Sequence, residues 1–215
     1  MNIKLNLNIF LFILLFFITN QVDIYALIMV FALIHEMAHM ICGVALGFRA
    51  RTLRIMPLGF AIEFKPLIDD YNKKVLEANN IAVKKVVIAL AGPVINFVIA
   101  IIGLILSFNN DIIYANLLIF IFNLIPIYPL DGGKIIKNIL KIFCGNRKAN
   151  RYINTISNTA IILLTMLCSI LILIYKNIAI LAILIVLWGM IIRENKKYDT
   201  YNKIYKTIDK SCNYL

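Results

Sequence analysis

The stretch "FALIHEMAHMICG", residues 31–43, sets His35, Glu36 and His39 inside an otherwise apolar run. The spacing is H-E-x-x-H. On a helix, residues four apart share a face, so both imidazoles can reach one metal ion. Glu36 projects about a third of a turn away. From there it can work on a water at the metal without being a ligand itself. Zinc lowers the pKa of such a water towards ~7, and a carboxylate can take its proton. His35 and His39 are the only histidines of the chain. Ionisable groups at membrane depth are costly and by default functional, so metal-assisted hydrolysis is the expected chemistry.

A catalytic zinc commonly has three protein ligands and one open position. No histidine remains, and Cys42, Cys144, Cys168 and Cys212 are scattered without C-x-x-C spacing. They read as small buried hydrophobes or free thiols. The best candidate lies in "FNLIPIYPLDGGK", residues 122–134, where Pro126 and Pro129 break an apolar span and Asp131 precedes a double glycine. Interrupted backbone at membrane depth is tolerated where it is buried in protein or lines a watered cavity. An aspartate there could point at the metal; it could instead cap the helix that follows, or be a loop charge. Depth agrees with a ligand: His39 lies roughly 15 Å along its helix from Arg49, and Asp131 also stands near the charged end of its span.

The elements that must position these groups are membrane spans. The chain has 215 residues, 62% of them hydrophobic, and a mean hydropathy of +0.88. Its apolar runs are long enough to cross a hydrocarbon core of about 30 Å. The expected fold is an all-α polytopic membrane protein with about six spans, near residues 5–19, 24–47, 83–108, 112–127, 156–175 and 178–192. The first follows Lys4 without a small-x-small cleavage site and reads as an uncleaved span. A membrane domain over 1–192 would then be followed by a basic tail, 193–215, lying near anionic headgroups. Between spans two and three, "RTLRIMPLGFAIEFKP" alternates partly and turns at Pro57-Leu58-Gly59. It reads as a β-hairpin, residues 52–56 and 60–64. A lone hairpin is marginal in water, so it should pack on the membrane domain.

Charge orients the scheme. The net charge is +11, with 22 Lys and Arg. One precedes the first span, eight lie in 49–85, six in 134–151 and six in 193–210, leaving Lys176 for the other side. Excess cations mark cytoplasmic loops, so both termini are expected in the cytoplasm of a multi-pass cell-membrane protein. The same rule accounts for the basic balance without nucleic acid.

Together, "HEMAH" and "NLIPIYPLDGG" resemble the two signatures of the site-2 protease family, peptidase family M50, of intramembrane zinc metalloproteases. "AGPVINF", residues 91–97, is similar to that family's A-G-P-x-x-N stretch. The resemblance covers residues 1–192. It implies one zinc per chain held by His35, His39 and Asp131, with Glu36 as catalytic acid/base. It also implies that Asn123, Pro126 and Pro129 shape the second motif and position the substrate. Implied partners are a membrane-associated protein substrate and membrane inhibitor or regulator proteins. The compact core, the hairpin and "PLDGGK" look like the stage IV sporulation protein FB subgroup, known for processing a sigma-factor precursor, although the chain shows no C-terminal CBS domain. Two other readings compete. A prenyl-protein type of membrane protease would need a glutamate ligand, and Glu63, Glu77 and Glu194 fall in loops or the tail. A zinc-binding transporter or scaffold would spread its polar residues, whereas here they form one constellation. Three features stay open. Gly43 and Gly47 could line a substrate groove or pack closely. Gly92-Pro93 could give the site room or be an ordinary kink. Asn96 is expected to bond within the bundle.

Overall fold

The computed structural model describes residues 2–5, 8–56, 59–64, 75–176 and 178–212. The chain divides into two compact units, 1–125 and 126–215.

The described residues of the first unit form a small sheet and four helices. Strand β1 (Asn2–Leu5) leads to α1 (Asn8–Ile18) and α2 (Val22–Ala45). Strands β2 (Ala50–Met56) and β3 (Gly59–Phe64) follow, then α3 (Val75–Ile105) and α4 (Asn110–Leu124). The expected hairpin is present, antiparallel from Ala50↔Phe64 to Met56↔Gly59, with an irregularity between Ala50 and Thr52. Pro57 and Leu58 of its turn lie outside the described residues. Gly59 has φ +132, which only glycine takes easily. Sequence pattern missed the third strand: β1 runs parallel to β2, Asn2↔Thr52 to Leu5↔Ile55, giving the order β1-β2-β3. Its residues read as the start of an apolar span, and parallel pairing across two intervening helices leaves no local signature. The third strand and packing on α2 supply what a lone hairpin lacks.

Helix α2 is built with its polar side inward. Tyr25, Ala32, His35, Glu36, His39 and Gly43 are buried. Val30, Leu33, Met37, Ile41 and Val44 form an exposed apolar stripe at three- and four-residue steps. That is the arrangement for a helix facing lipid outside and polar groups inside. Helix α4 stops at Leu124, short of the expected 127, because Ile125 precedes Pro126 and takes an extended conformation, φ −56 and ψ 135.

The second unit is a pair of long helices. Helix α5 (Asp131–Tyr175) starts far before the expected fifth span. It is broken at Gly145, φ 76 and ψ 167, so two arms meet at a corner that glycine permits. The basic stretch 134–151 looked like a loop because its charges hid this helical period. Helix α6 (Ile178–Cys212) runs on through residues expected as a solvated tail. Tyr198, Tyr201 and Tyr205 repeat at helical spacing, and the Arg147 guanidinium of α5 sits 5.3 Å from the Tyr205 ring. Such contacts hold a polar helix that would fray alone.

Among the described residues, six helices stand where six spans were expected. Val22–Ala45, Asn79–Ile105 and Asp131–Ile174 are long and apolar enough to cross a membrane. The apolar helix α4 is shorter, and α1, with 11 residues, is only about 16 Å long.

Candidate active site

In the first unit, His35, Glu36 and His39 lie on the buried side of α2, 5%, 8% and 4% exposed. The four-residue step stacks the imidazoles with ring centroids 4.7 Å apart and Nε2 atoms 3.1 Å apart. Helix α3 sets their orientation. The His35 Nδ1 lies 2.6 Å from Asn96 Oδ1, and the His39 Nδ1 lies 2.6 Å from the Ile88 carbonyl oxygen.

These partners determine the protons. Asn116 Nδ2 donates to the Ile112 carbonyl at 2.8 Å, which leaves Asn116 Oδ1 to accept from Asn96 Nδ2, also at 2.8 Å. Asn96 Oδ1 must then accept, so His35 carries its proton on Nδ1. The Ile88 carbonyl can only accept, so His39 does the same. With Nδ1 so engaged, both rings turn their Nε2 atoms towards each other, at 3.1 Å. Nitrogens bound at ~2.0–2.1 Å to a tetrahedral zinc stand about 3.3 Å apart, so the pair fits that ion. Gly92 completes the cradle: a Cβ there would come within 2.4 Å of His39 Nε2 and 2.6 Å of His35 Nε2. The glycine of "AGP" is thus required by the imidazoles beside it, whatever its neighbour Pro93 does to α3.

Glu36 faces the sheet. Its Oε1 accepts a hydrogen bond from the Ile62 backbone N–H of β3. That N–H points away from β2, so the outer edge of the sheet meets the carboxylate. Gly43 lets the hairpin come this close, since a Cβ on it would fall 2.4 Å from the Phe64 ring. Phe64 in turn meets Phe48 edge-on, with centroids 5.9 Å apart. The close-packing reading of Gly43 therefore holds, with a strand as the partner instead of a helix. Gly47 does neither job: it has φ +91 with nothing near its missing Cβ, and it ends α2. Glu63, one residue from Ile62, is held by Arg54 at 2.7 Å and Thr52 at 3.0 Å. Asn123, near the end of α4, donates to the Ile119 carbonyl at 3.0 Å.

In the second unit, Asp131 is the first residue of α5 and is 3% exposed. Leu130 holds the capping position and no side chain caps the helix, so Asp131 is not its N-cap. A carboxylate in the first turn is favoured by the helix dipole. Lys134 Nζ lies 2.8 Å from its Oδ1. The chain before it folds back sharply over Pro126 and Pro129. The Leu130 N–H donates to the Ile127 carbonyl at 2.8 Å, and the Tyr128 N–H to Ser157 Oγ at 2.9 Å. Gly133 is indispensable there, because a Cβ would meet the Tyr128 nitrogen at 2.4 Å and the Ile127 carbonyl carbon at 2.5 Å. The second glycine of the pair, Gly133, thus serves this tight turn.

Comparison with known proteins decides the family. The model of "Peptidase family M50" matches residues 24–111 and 106–167. The chain belongs to peptidase family M50. Within M50, it is 28% identical over 139 residues to "Zinc metalloprotease MJ0392" of Methanocaldococcus jannaschii, covering 60% of this chain. The match spans 37% of that relative's own length. The solved "Site-2 Protease from Methanocaldococcus jannaschii" shares the fold, with a TM-score of 0.64, 21% identity and 89% of each chain covered. Both M50 motifs lie inside the matched residues. Sequence reasoning overlooked Ile88, Ile62 and Asn116 as partners of this site. Only Asn96 and Asn116, amides in apolar helices, carried a signal.

Proposed function

We propose that the chain is an intramembrane zinc metalloendopeptidase that cleaves a membrane-associated or transmembrane protein. The observation that carries this reading is the convergence of two buried imidazoles, Nε2 to Nε2, beside a buried glutamate on a membrane-capable helix. His35 and His39 would hold the zinc. Asp131 completes the ligand set by its place in the second M50 motif, one zinc per chain. When bound, zinc supplies a Lewis acid that polarises the scissile carbonyl and acidifies the attacking water.

The chain's own groups do the rest. Asn96 and the Ile88 carbonyl fix both tautomers and raise the basicity of the rings. Glu36 takes a proton from the water and delivers it to the leaving amine. The Ile62 N–H holds that carboxylate in place. A helical substrate hides its peptide bonds and must unwind to react. The outer edge of β3 offers an unwound segment a strand to pair with, directly beside Glu36. Asn123, Pro126 and Pro129 would position that segment from the second motif.

Glu36→Gln should retain zinc and fold while lowering cleavage of a co-expressed membrane-tethered substrate by at least about 10²-fold. Undiminished cleavage by this variant would remove Glu36 from the mechanism. The narrower reading, a sigma-factor precursor in sporulation, rests on the compact core, the hairpin and "PLDGGK" alone. Mass spectrometry of membrane-protein fragments from cells with and without Glu36→Gln would identify the substrate. The absence of any such precursor among the fragments would refute the narrower reading only.

A further inference from the structure

A second polar site lies in the second unit, apart from the metal ligands. A cavity of about 350 Å³ opens between the two arms of α5 and the polar half of α6. That volume suits a small ligand. Each wall is one helical face. Lys137 and Lys141 are one turn apart on the first arm, Asn150 and Asn154 one turn apart on the second, and Tyr198 and Tyr201 stand together on α6. Ile153 and Ile191, both buried, close the floor.

Among the described residues that line the cavity, Lys137, Lys141 and Lys197 bring three ammonium groups and Glu194, paired with Lys197 at 2.5 Å, brings one carboxylate. Ammonium, amide and phenol groups approach from three directions. A phosphate, with oxygens spread about a tetrahedral centre, can accept from all of them, whereas a planar carboxylate would use fewer. Burial pushes the Tyr128 phenol above its ordinary value, with Glu194 adding to the shift, so it too stays a donor.

Level matters as much as charge. The apolar part of α6 ends at Ile192 and the cavity's polar residues on that helix begin at Glu194. On α5, the cavity ends at Ser157, where the apolar run to Tyr175 begins. The cavity therefore sits where the hydrocarbon layer gives way to headgroups, on the side that the positive charge marks as cytoplasmic. Tyrosines are enriched at that level, and basic pockets between spans there take anionic headgroups.

We propose that this α5–α6 cleft binds a phosphate-bearing anion, either an anionic phospholipid headgroup or a soluble phosphate ester. Lys137 Nζ lies 4.2 Å over the Tyr128 ring. An anion in the cleft competes with that ring for Lys137, and Tyr128 stands three residues before Asp131. Occupancy is thus felt in the turn of the second motif. The site does not depend on the zinc reading.

The test uses the full chain and a charge-matched control. Native mass spectrometry with added phosphatidylglycerol or phosphatidylcholine reads lipid binding. Calorimetry in phosphatidylcholine nanodiscs with inorganic phosphate or glycerol 3-phosphate reads soluble anions. Preferential retention of phosphatidylglycerol is expected, lost in Lys137→Gln/Lys141→Gln/Lys197→Gln and kept in Lys148→Gln/Lys196→Gln/Lys203→Gln. Each cleft lysine should account for about five-fold in affinity. Saturable binding of phosphate or glycerol 3-phosphate with the same dependence, without lipid preference, makes the ligand a soluble ester. Equal losses in both triple variants, or no anion bound by the unaltered chain, overturns the site. If the cleft variant fails to fold by thermal melting, Lys141→Gln alone is compared with Lys148→Gln under the same criterion.

Discussion

At the residue scale, the candidate site is an exercise in proton placement. His35 and His39 could each carry a proton on either nitrogen, and only the Nδ1–H form leaves Nε2, the atom facing the other ring, able to bind a metal. The chain from the Ile112 carbonyl through Asn116 and Asn96 settles this for His35. Such outer partners commonly contribute 10–100-fold in metal affinity. Asn96→Ala should therefore weaken zinc binding by about 10-fold or more. Asn96→Asp, which keeps an acceptor for His35, should recover much of it. Competition against a zinc-sensitive dye measures both, and equal affinity in Asn96→Ala would show that the amide does not orient the ring. Asp131→Ala should lower zinc content below one per chain by elemental analysis. Full occupancy in that variant would strike Asp131 from the ligands.

At the element scale, a small sheet is brought against a membrane-capable helix at one glycine. Gly43 admits the Phe64 ring, and the Ile62 N–H then reaches Glu36. Gly43→Val should push Phe64 outward and loosen the edge of β3, while the imidazoles, a full turn away, keep their zinc. Cleavage should fall several-fold, as expected for overpacking of a well-fitted contact. Hydrogen exchange should rise at residues 59–64 with zinc content unchanged. Cleavage and protection equal to those of the unaltered chain would detach the hairpin from substrate handling. The break at Gly145 and the tight turn at Gly133 show the same economy, because each sets the direction of a helix at a residue without a side chain.

At the scale of the whole molecule, two buried imidazoles brought Nε2 to Nε2 would gain stability from a metal ion bound between them. A ligand that binds only the folded chain stabilises it by mass action. Chelation should therefore lower the melting temperature in detergent by several degrees, and added Zn²⁺ should restore it; at 100-fold excess over the dissociation constant the linkage is worth about 2.7 kcal/mol. An unchanged melting temperature on complete zinc removal would mean that the pair is stable without a cation. Orientation is a second property of the whole chain. Nearly all Lys and Arg lie within three segments, 49–85, 134–151 and 193–210, on one side of the expected topology. Reporter fusions at both ends should accordingly read cytoplasmic. A periplasmic or external signal from either end would invert the scheme.

The helices, the hairpin and the metal-binding register were legible in the sequence because they are short-range. H-E-x-x-H is a statement about one helical face, apolar length is a statement about one span, and "MPLGF" is a turn between two short alternations. Strand β1 was not legible, because parallel pairing with β2 joins residues fifty positions apart, as Asn2↔Thr52, and its residues suit an apolar span equally well. Nor were the helical extensions at 131–155 and 193–212, which are held by contacts between α5 and α6 instead of by intrinsic propensity. The sequence by itself determined which side chains could hold a metal and that they lie in an apolar helix. Only the tertiary structure decided which nitrogen of each histidine faces inward, why Gly92 and Gly43 bear no side chain, and which strand edge meets Glu36. Those depend on hydrogen bonds and close contacts between segments distant in sequence, where no local pattern can record the partner.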